Sequence, residues 1–397
     1  MKKILFTFLI FFQKIRRWWL HIKGISEEDI HNQRIVSGKA WEEFCDNLKA
    51  AGAALVYPGA PQDPAQQAEG VRYLSRLTRA GLEAFVEYND PKYPVFRRTV
   101  HETIKMGADN PDNHYLNAQI NGDYEYVISG KRNTIHYFGL FTQNGNYGKT
   151  GGLSPCGVLE DGQLKVNSDG SFEVILSKER RGENWLKIED DTSLLIVRQT
   201  YLAQETEVPV ELKISAIGVD GTPGLITPKQ LDEGLNIASL FVAGAPMLFS
   251  KWAKGFQKHT NRLPMFDPKI SNAAGGDANI IYYHSHWKLD KNQMLKIHVK
   301  PPDCDTWNFQ LNNYWMESLD YRYHTICINS HSAKLSKDGT VTVVVAHKDP
   351  GVNNWIETAG HFEGTMCWRW YRPTTTPPKE IETRVVSLDE LKDFSHA

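Results

Sequence analysis

The sequence has no Cys-x-x-Cys pair, no marked charge imbalance and none of the short motifs of nucleotide chemistry. Its five cysteines, Cys45, Cys156, Cys304, Cys327 and Cys367, are scattered along 397 residues. That spacing excludes a zinc knuckle and a thioredoxin-type motif, and an odd count points to a reducing compartment. Lysine plus arginine number 45 and aspartate plus glutamate 47, a formal net charge of −2. No basic field is left to hold nucleic acid, and there is no acidic tail. No GxGxxG follows a strand, and there is no Walker loop, HExxH or GxSxG. A nucleotide cofactor is therefore not expected, no other cofactor is identified, and the common hydrolase folds are unsupported.

A long apolar run is also missing at the N-terminus. Ile4 to Phe12 is apolar except for Thr7. As a helix it rises about 13 Å, well short of a ~30 Å hydrocarbon core. Lys2 and Lys3 precede it, and Arg16, Arg17, Trp18 and Trp19 follow. Arginine and tryptophan both sit well at headgroup level. Residues 1–23 are thus expected to rest on a membrane surface, on its cytoplasmic face. The alternative is a targeting segment of an exported chain, although no small-x-small cleavage pattern follows Phe12.

What is present argues for a β-rich protein of about two domains. Hydrophobic residues make up 41% of the chain and there are 11 tryptophans. Aromatics suit pleated sheets and also a cleft for an apolar or sugar ligand. Residues 24–112 read as a helical region. Asp63-Pro64-Ala65-Gln66 is a capping box with proline at the first helical position, and Val71, Leu74, Leu77, Leu82 and Phe85 form an apolar stripe. From Tyr115 the period becomes two, with Asn-Gly and Asp-Gly turn signals between short runs. Residues 113–226 are expected to form a first sandwich or jelly-roll lobe and residues 280–373 a second. Between them, 227–279 reads as a helical linker or cover. It opens on a second capping box, Thr227 to Gln230, and is broken at Pro246. Its apolar part and the following Lys251, Lys254, Lys258 and Arg262 suit a sheet cover, a gate or a membrane contact. Residues 374–397 read as a tail.

The two β regions repeat each other. Asp169-Gly170, Asn184-Trp185 and Arg198 recur as Asp338-Gly339, Asn354-Trp355 and Arg369. Asp to Trp spans 16 residues in one copy and 17 in the other. Two related lobes follow from this. Shared features read as scaffold: Asp-Gly as turn, Trp as core anchor, Arg as a strand-borne partner for a carboxylate or carbonyl. Polar features found in one copy only are the candidates for chemistry.

Three such clusters stand in the second copy. Trp315 to Arg322, read as a strand, sets Glu317 on a face with Trp315 and Leu319, and Asp320 and Arg322 on the other. A carboxyl on an aromatic face has a raised pKa and suits a general acid; the plainer reading is an ion pair with an arginine such as Arg369. His361 follows Asn354-Trp355 at the position where the first copy has Asp191. It suits a base or a ligand, or simply a hydrogen-bonded loop histidine. His284 and His286 share a strand face with Lys288, opposite Tyr283, Trp287 and Leu289. They suit two metal ligands with His298 as a third, or a solvated face.

The strings Gly107 to Asn113, Trp315 to Arg322, Asp349-Pro350-Gly351 to Asn354-Trp355, and Thr358 to His361 resemble bacterial proteins of the family labelled domain of unknown function 1214. The similarity extends over about residues 40–372. The resemblance implies a β-sandwich C-terminal part and brings no settled reaction. Many related chains carry a companion domain of unknown function 1254; here the helical N-terminal region stands in its place. The functional expectation is a protein that binds or processes an apolar small molecule, such as a lipid, steroid or terpenoid. Any acid–base chemistry would fall to Glu317 and His361, with Asp320 and Arg369 orienting. The alternatives are a carbohydrate-active enzyme or sugar-binding module, and a non-catalytic scaffold subunit at a membrane.

Overall fold

Alternation with a period of two becomes strand in the computed structural model, which describes residues 26–145, 153–273, 276–387 and 390. The proposed membrane segment, residues 1–23, lies outside the described residues. Eight strands form the first lobe: β1 (Asn113–Gln119), β2 (Tyr126–Lys131), β3 (Tyr137–Asn144), β4 (Ser154–Glu160), β5 (Ser171–Ser177), β6 (Trp185–Lys187), β7 (Thr192–Thr200) and β8 (Glu211–Ala216). A two-residue strand, β9 (Leu263–Pro264), precedes the second set. That set is β10 (Ile280–Lys288), β11 (Gln293–Val299), β12 (Thr306–Asn312), β13 (Cys327–Asn329), β14 (Val341–Ala346), β15 (Trp355–Glu357), β16 (Glu363–Tyr371) and β17 (Glu380–Ser387).

The strand order occurs twice. The first lobe has sheets β1-β7-β3-β4 and β6-β5-β2-β8, the second β10-β16-β12-β13 and β15-β14-β11-β17-β9. Apart from β9, each strand of the second lobe stands where its counterpart stands in the first. A parallel pairing recurs too, β5 with β6 and β14 with β15. Period two then sorts the side chains. Tyr283, Trp287, Trp307, Phe309, Trp368 and Trp370 point into the second sandwich, where Trp307 and Trp368 stack at 4.8 Å between centroids. The first sandwich uses smaller residues at several of these places, such as Val197 where the second has Trp368.

The shared Asn residues act as scaffold. The Asn184 amide donates to the carbonyls of Lys165 and Glu173 and accepts from the Lys165 N–H. The Asn354 amide does the same with Lys334 and Thr342. Gly170 and Gly339 follow the turn aspartates at φ of 84° and 80°, a conformation open to glycine. The shared tryptophans differ from the expectation. Trp185 and Trp355 are half-buried, because each spends its indole N–H on a strand end, Ser177 Oγ or the Ala346 carbonyl.

The helices α1 (Glu27–Val36), α2 (Lys39–Ala51), α3 (Pro64–Leu82) and α4 (Pro228–Phe256) pack together, with a short α5 (Pro268–Ala273) after them. Asp63 caps α3, but Gln66 turns away from the expected box to Glu363 on β16. Val71 is exposed, whereas Tyr73, Leu77, Ala80 and Ala84 form the buried face. Thr227 and Gln230 complete their box at the start of α4. Pro246 does not break α4, which runs on to Phe256. The proline is buried, and packing holds the turn despite the missing N–H. Gly234 lets α4 approach closely: a Cβ there would stand 2.2 Å from the Phe85 carbonyl oxygen. The segment Pro228–His259 is long and apolar enough to cross a membrane, yet half of its apolar window is buried inside the protein. The expected tail contains β17, which pairs antiparallel with β11 from Ser387 to Glu382 and completes the outer sheet.

Candidate functional site

The faces that do not form the sandwich cores enclose a cavity of about 730 Å³ between the lobes. Three strands from each lobe matter most here, because the repeat supplies its walls twice. In the first lobe Arg198 on β7 pairs with Tyr115 on β1 and Gly139 on β3. In the second, Arg369 on β16 pairs with Tyr282 on β10 and Asn308 on β12. Tyr115, Tyr282, Arg198 and Arg369 all line the cavity. One step along the strands, Asn117 and His284 occupy equivalent places and line it as well. Opposite this polar floor, α4 contributes Ile237, Leu240, Phe241, Leu248, Phe249 and Trp252. The shared arginines are therefore more than scaffold: the doubled position is where the two lobes meet the cavity.

Arg369 is 4% exposed. Its guanidinium donates to Gln310 Oε1 at 2.6 Å, to Asn308 Oδ1 at 3.3 Å and to the Ala108 carbonyl. It lies over the Tyr282 ring, 5.9 Å from the centroid. The string Gly107 to Asn113 supports this arrangement. The Asn308 amide donates to Asn110 Oδ1 and Asp112 Oδ2, Gln310 donates to the Asp109 carbonyl, and the Asn110 amide donates to the Tyr371 hydroxyl. Asp109 accepts from the Ser318 N–H and hydroxyl. Burial raises the pKa of Asp109, and pushes that of Asp112 up to about 6.

The two candidate metal ligands have their expected strand face, but it is not solvated. His284 and His286 are 6% and 2% exposed, because helix α4 and the loop after it cover that side of β10. The His284 ring lies between Phe256 and Tyr282, nearly parallel to both, at 5.4 and 5.7 Å. Burial pushes its pKa down to about 3 and that of His286 to about 4, so both rings are neutral. His298 stands on β11, in the opposite sheet of the sandwich, bonded to Thr342 Oγ1. Among the described residues no group of three or more His, Cys, Asp or Glu is placed to hold a metal ion.

Glu317, Asp320 and His361 come together elsewhere, around a smaller pocket of about 230 Å³. Arg369 is not in that wall. Trp315 to Arg322 is not a strand: β12 ends at Asn312, and the Asn313 side chain accepts from the N–H groups of Trp315 and Glu317. This asparagine turn places Met316 at φ 59° and cancels the expected alternation of faces. Glu317 is 1% exposed and takes Arg76 Nη1 at 2.6 Å and the Asn313 amide at 2.9 Å. Its partner is thus an arginine of α3 rather than Arg369. Burial raises its pKa, and Arg76 opposes the shift. His361 Nε2 meets Glu69 Oε1 at 3.0 Å, and its Nδ1 faces the carbonyls of Thr358 and Ala359 at 3.1 Å. All three neighbours are acceptors, a setting that favours the imidazolium. Burial works against that charge, but Glu69 and the carbonyls outweigh it and the pKa is raised. Asp320 is held down to about 2 by the Arg322 guanidinium. Lys105 is buried, donates to the carbonyls of Ser318 and Leu319, and lies over the Tyr321 ring.

Sequence reasoning missed Arg76, Glu69 and Lys105. The available signal was a charged stripe, since Glu69, Arg72 and Arg76 share one face of α3. It also missed the tyrosines of the large cavity.

Comparison with known proteins supplies a family and no activity. A family model described as "Protein of unknown function (DUF1214)" matches residues 152–205 and 284–375. The crystal structure of an uncharacterized protein from Burkholderia cenocepacia is similar, with 46% identity and a TM-score of 0.87, over 90% of this chain and 99% of that one. The VPA0106 protein from Vibrio parahaemolyticus matches at 11% identity and a TM-score of 0.46, over 86% of this chain and 100% of that one. No curated protein matches the sequence.

Proposed function

We propose that this chain, which belongs to the family of proteins of unknown function DUF1214, binds a small molecule with an apolar body in the cavity between its lobes. The observation that carries the reading is the cavity itself. At about 730 Å³ it falls in the roughly 300–1,000 Å³ range of small-molecule sites. Its walls are divided, with aliphatic and aromatic side chains of α4 facing a polar floor of strand residues. A lipid-, steroid- or terpenoid-like molecule suits such a division better than an oligosaccharide, which asks for polar groups on all sides.

Native mass spectrometry of gently purified full-length protein tests this. A retained organic mass of a few hundred daltons is expected. A retained oligosaccharide would replace the reading with the carbohydrate one. An unliganded mass that no added hydrophobic compound alters would overturn it.

A second reading is acid–base chemistry at the smaller pocket. The convergence of Glu317, His361 and Glu69 around it favours that reading. Against it, both carboxylate oxygens of Glu317 are already engaged. Glu317→Gln and His361→Ala proteins that retain the same compound as the unaltered chain would dispose of it. A different retained mass, an unconverted precursor, would support it.

A further inference from the structure

We infer that the molecule held between the lobes is a monocarboxylic acid, with its carboxylate on Arg369 and the surrounding tyrosine hydroxyls and its hydrocarbon body against α4. This rests on the cavity being a binding site and names the class of its ligand.

The first reason is charge. Arg369 is buried, and its hydrogen bonds go to neutral oxygens of Ala108, Asn308 and Gln310. Among the described residues no carboxylate stands within ion-pair distance of it. A buried guanidinium without an acid partner is costly, and such groups are normally paired. The acids nearest in charge effect are Asp109 and Asp112. Asp109 is held by Ser318 and Asp112 by Asn308, and burial pushes both toward the neutral form. Neither reaches the guanidinium at ion-pair distance; each is held by other partners.

The second reason is the direction of the hydroxyl protons. Tyr115, Tyr282 and Tyr371 all line the cavity. Each oxygen already accepts from an N–H: Tyr115 from Asn110 and the Asn113 amide, Tyr282 from Asp277, and Tyr371 from the Asn110 amide. Their own O–H protons have no acceptor among the described residues. Burial raises all three pKa values, that of Tyr282 to about 12, so the protons stay on. Three phenol donors and one unpaired guanidinium on one floor form a receptor for an oxyanion.

The third reason sets the charge at one. The equivalent arginine of the first lobe, Arg198, faces Asp277 at 3.7 Å. One uncompensated cation suits a carboxylate, while a phosphate dianion would need a second.

The test is fluorescence titration of the full chain with cis-parinaric acid and with its methyl ester. These share a body and differ in the charged head. The acid should bind the unaltered protein at least about tenfold more tightly than the ester, the worth of one charged hydrogen bond. Arg369→Gln should bring the acid down to the ester's level, and Arg369→Lys should keep part of the preference. Gly244→Phe controls for the site. Gly244 lines the cavity, and a Cβ there meets nothing within 4 Å, so the variant should fold and lose both ligands. Equal binding of acid and ester by the unaltered protein overturns the carboxylate, a result that needs no variant to fold. If both bind and Gly244→Phe abolishes both, the cavity reading survives that failure. Binding of neither, or binding that Gly244→Phe leaves intact, overturns both.

Discussion

The two lobes put an arginine at the same point of the same strand and give it opposite surroundings. In the second lobe the adjacent strand offers Asn308 and Gln310, whose amide oxygens grip Arg369. In the first lobe the equivalent positions are Gly139 and Phe141. Arg198 lies over the Phe141 ring at 4.7 Å and faces Asp277 at 3.7 Å. Glycine leaves room there: a Cβ at 139 would stand 2.6 Å from the Tyr137 hydroxyl and 2.8 Å from the Phe141 ring, so both side chains would have to shift. The first lobe's arginine thus has an acid beside it, supplied by the segment that leads into β10, while the second lobe orients its arginine with amide oxygens and leaves the charge open. The same strand position carries one arginine with an acid beside it and one held by neutral oxygens alone.

The sharpest way to break the comparison is at the cores. Trp368 is fully buried and stacked on Trp307, while its counterpart Val197 is buried among smaller residues. Trp368→Ala should cost about 4 kcal/mol, transfer and cavity terms together. Val197→Ala should cost about 2 kcal/mol, from the lost methyl groups and a smaller void. Urea unfolding followed by tryptophan fluorescence and by circular dichroism measures both. Equal losses would mean that the two cores are not energetically distinct.

The next effect tests the arginine environments. Gln310→Leu removes the shorter of the two side-chain acceptors of Arg369 and puts an apolar group where the first lobe has Phe141. Without an acid such as Asp277 nearby, the guanidinium is left short of a partner. A loss of about 2 kcal/mol is expected. A neutral result in the same unfolding assay would show that Arg369 is compensated by Asp109 or Asp112, and would weaken the case for an anionic ligand.

Much of the comparison is legible in the sequence. The Asp-Gly, Asn-Trp and Arg spacings report the repeat because turns and side-chain caps are local chemistry. Period two placed Tyr283 and Trp287 opposite His284 and His286, as the sheet has them. What failed did so where distant chain segments decide. Nothing near His284 in sequence says that α4 covers it, so a solvated face was the natural reading. Glu317 looked strand-borne because Trp315, Glu317 and Leu319 alternate, but Asn313 closes a turn before them. Its partner Arg76 lies on a helix more than two hundred residues earlier. The rule that shared residues are scaffold holds for Asn184 and Asn354. It leaves out that Arg198 and Arg369 also line the cavity, because a cavity between two like lobes is itself walled by shared positions.

The smallest expected effect separates the loops that lead into β7 and β16. The first carries Asp190 and Asp191, exposed, with Asp190 paired to Lys178. The second carries His361 between Glu69 and two carbonyls. The histidine's pKa is raised in the folded chain. A group with a raised folded pKa contributes stability that is complete below its unfolded value, near 6.5, and is lost as the pH rises through the folded value. Stability should therefore fall as the pH rises from about 6.5 through the folded value. His361→Gln should flatten that slope, whereas Asp190→Asn, in a loop that carries no histidine, should leave it unchanged. Thermal melts of the three proteins at four pH values decide the matter. A slope that survives His361→Gln would place the titrating group elsewhere and remove this distinction between the lobes.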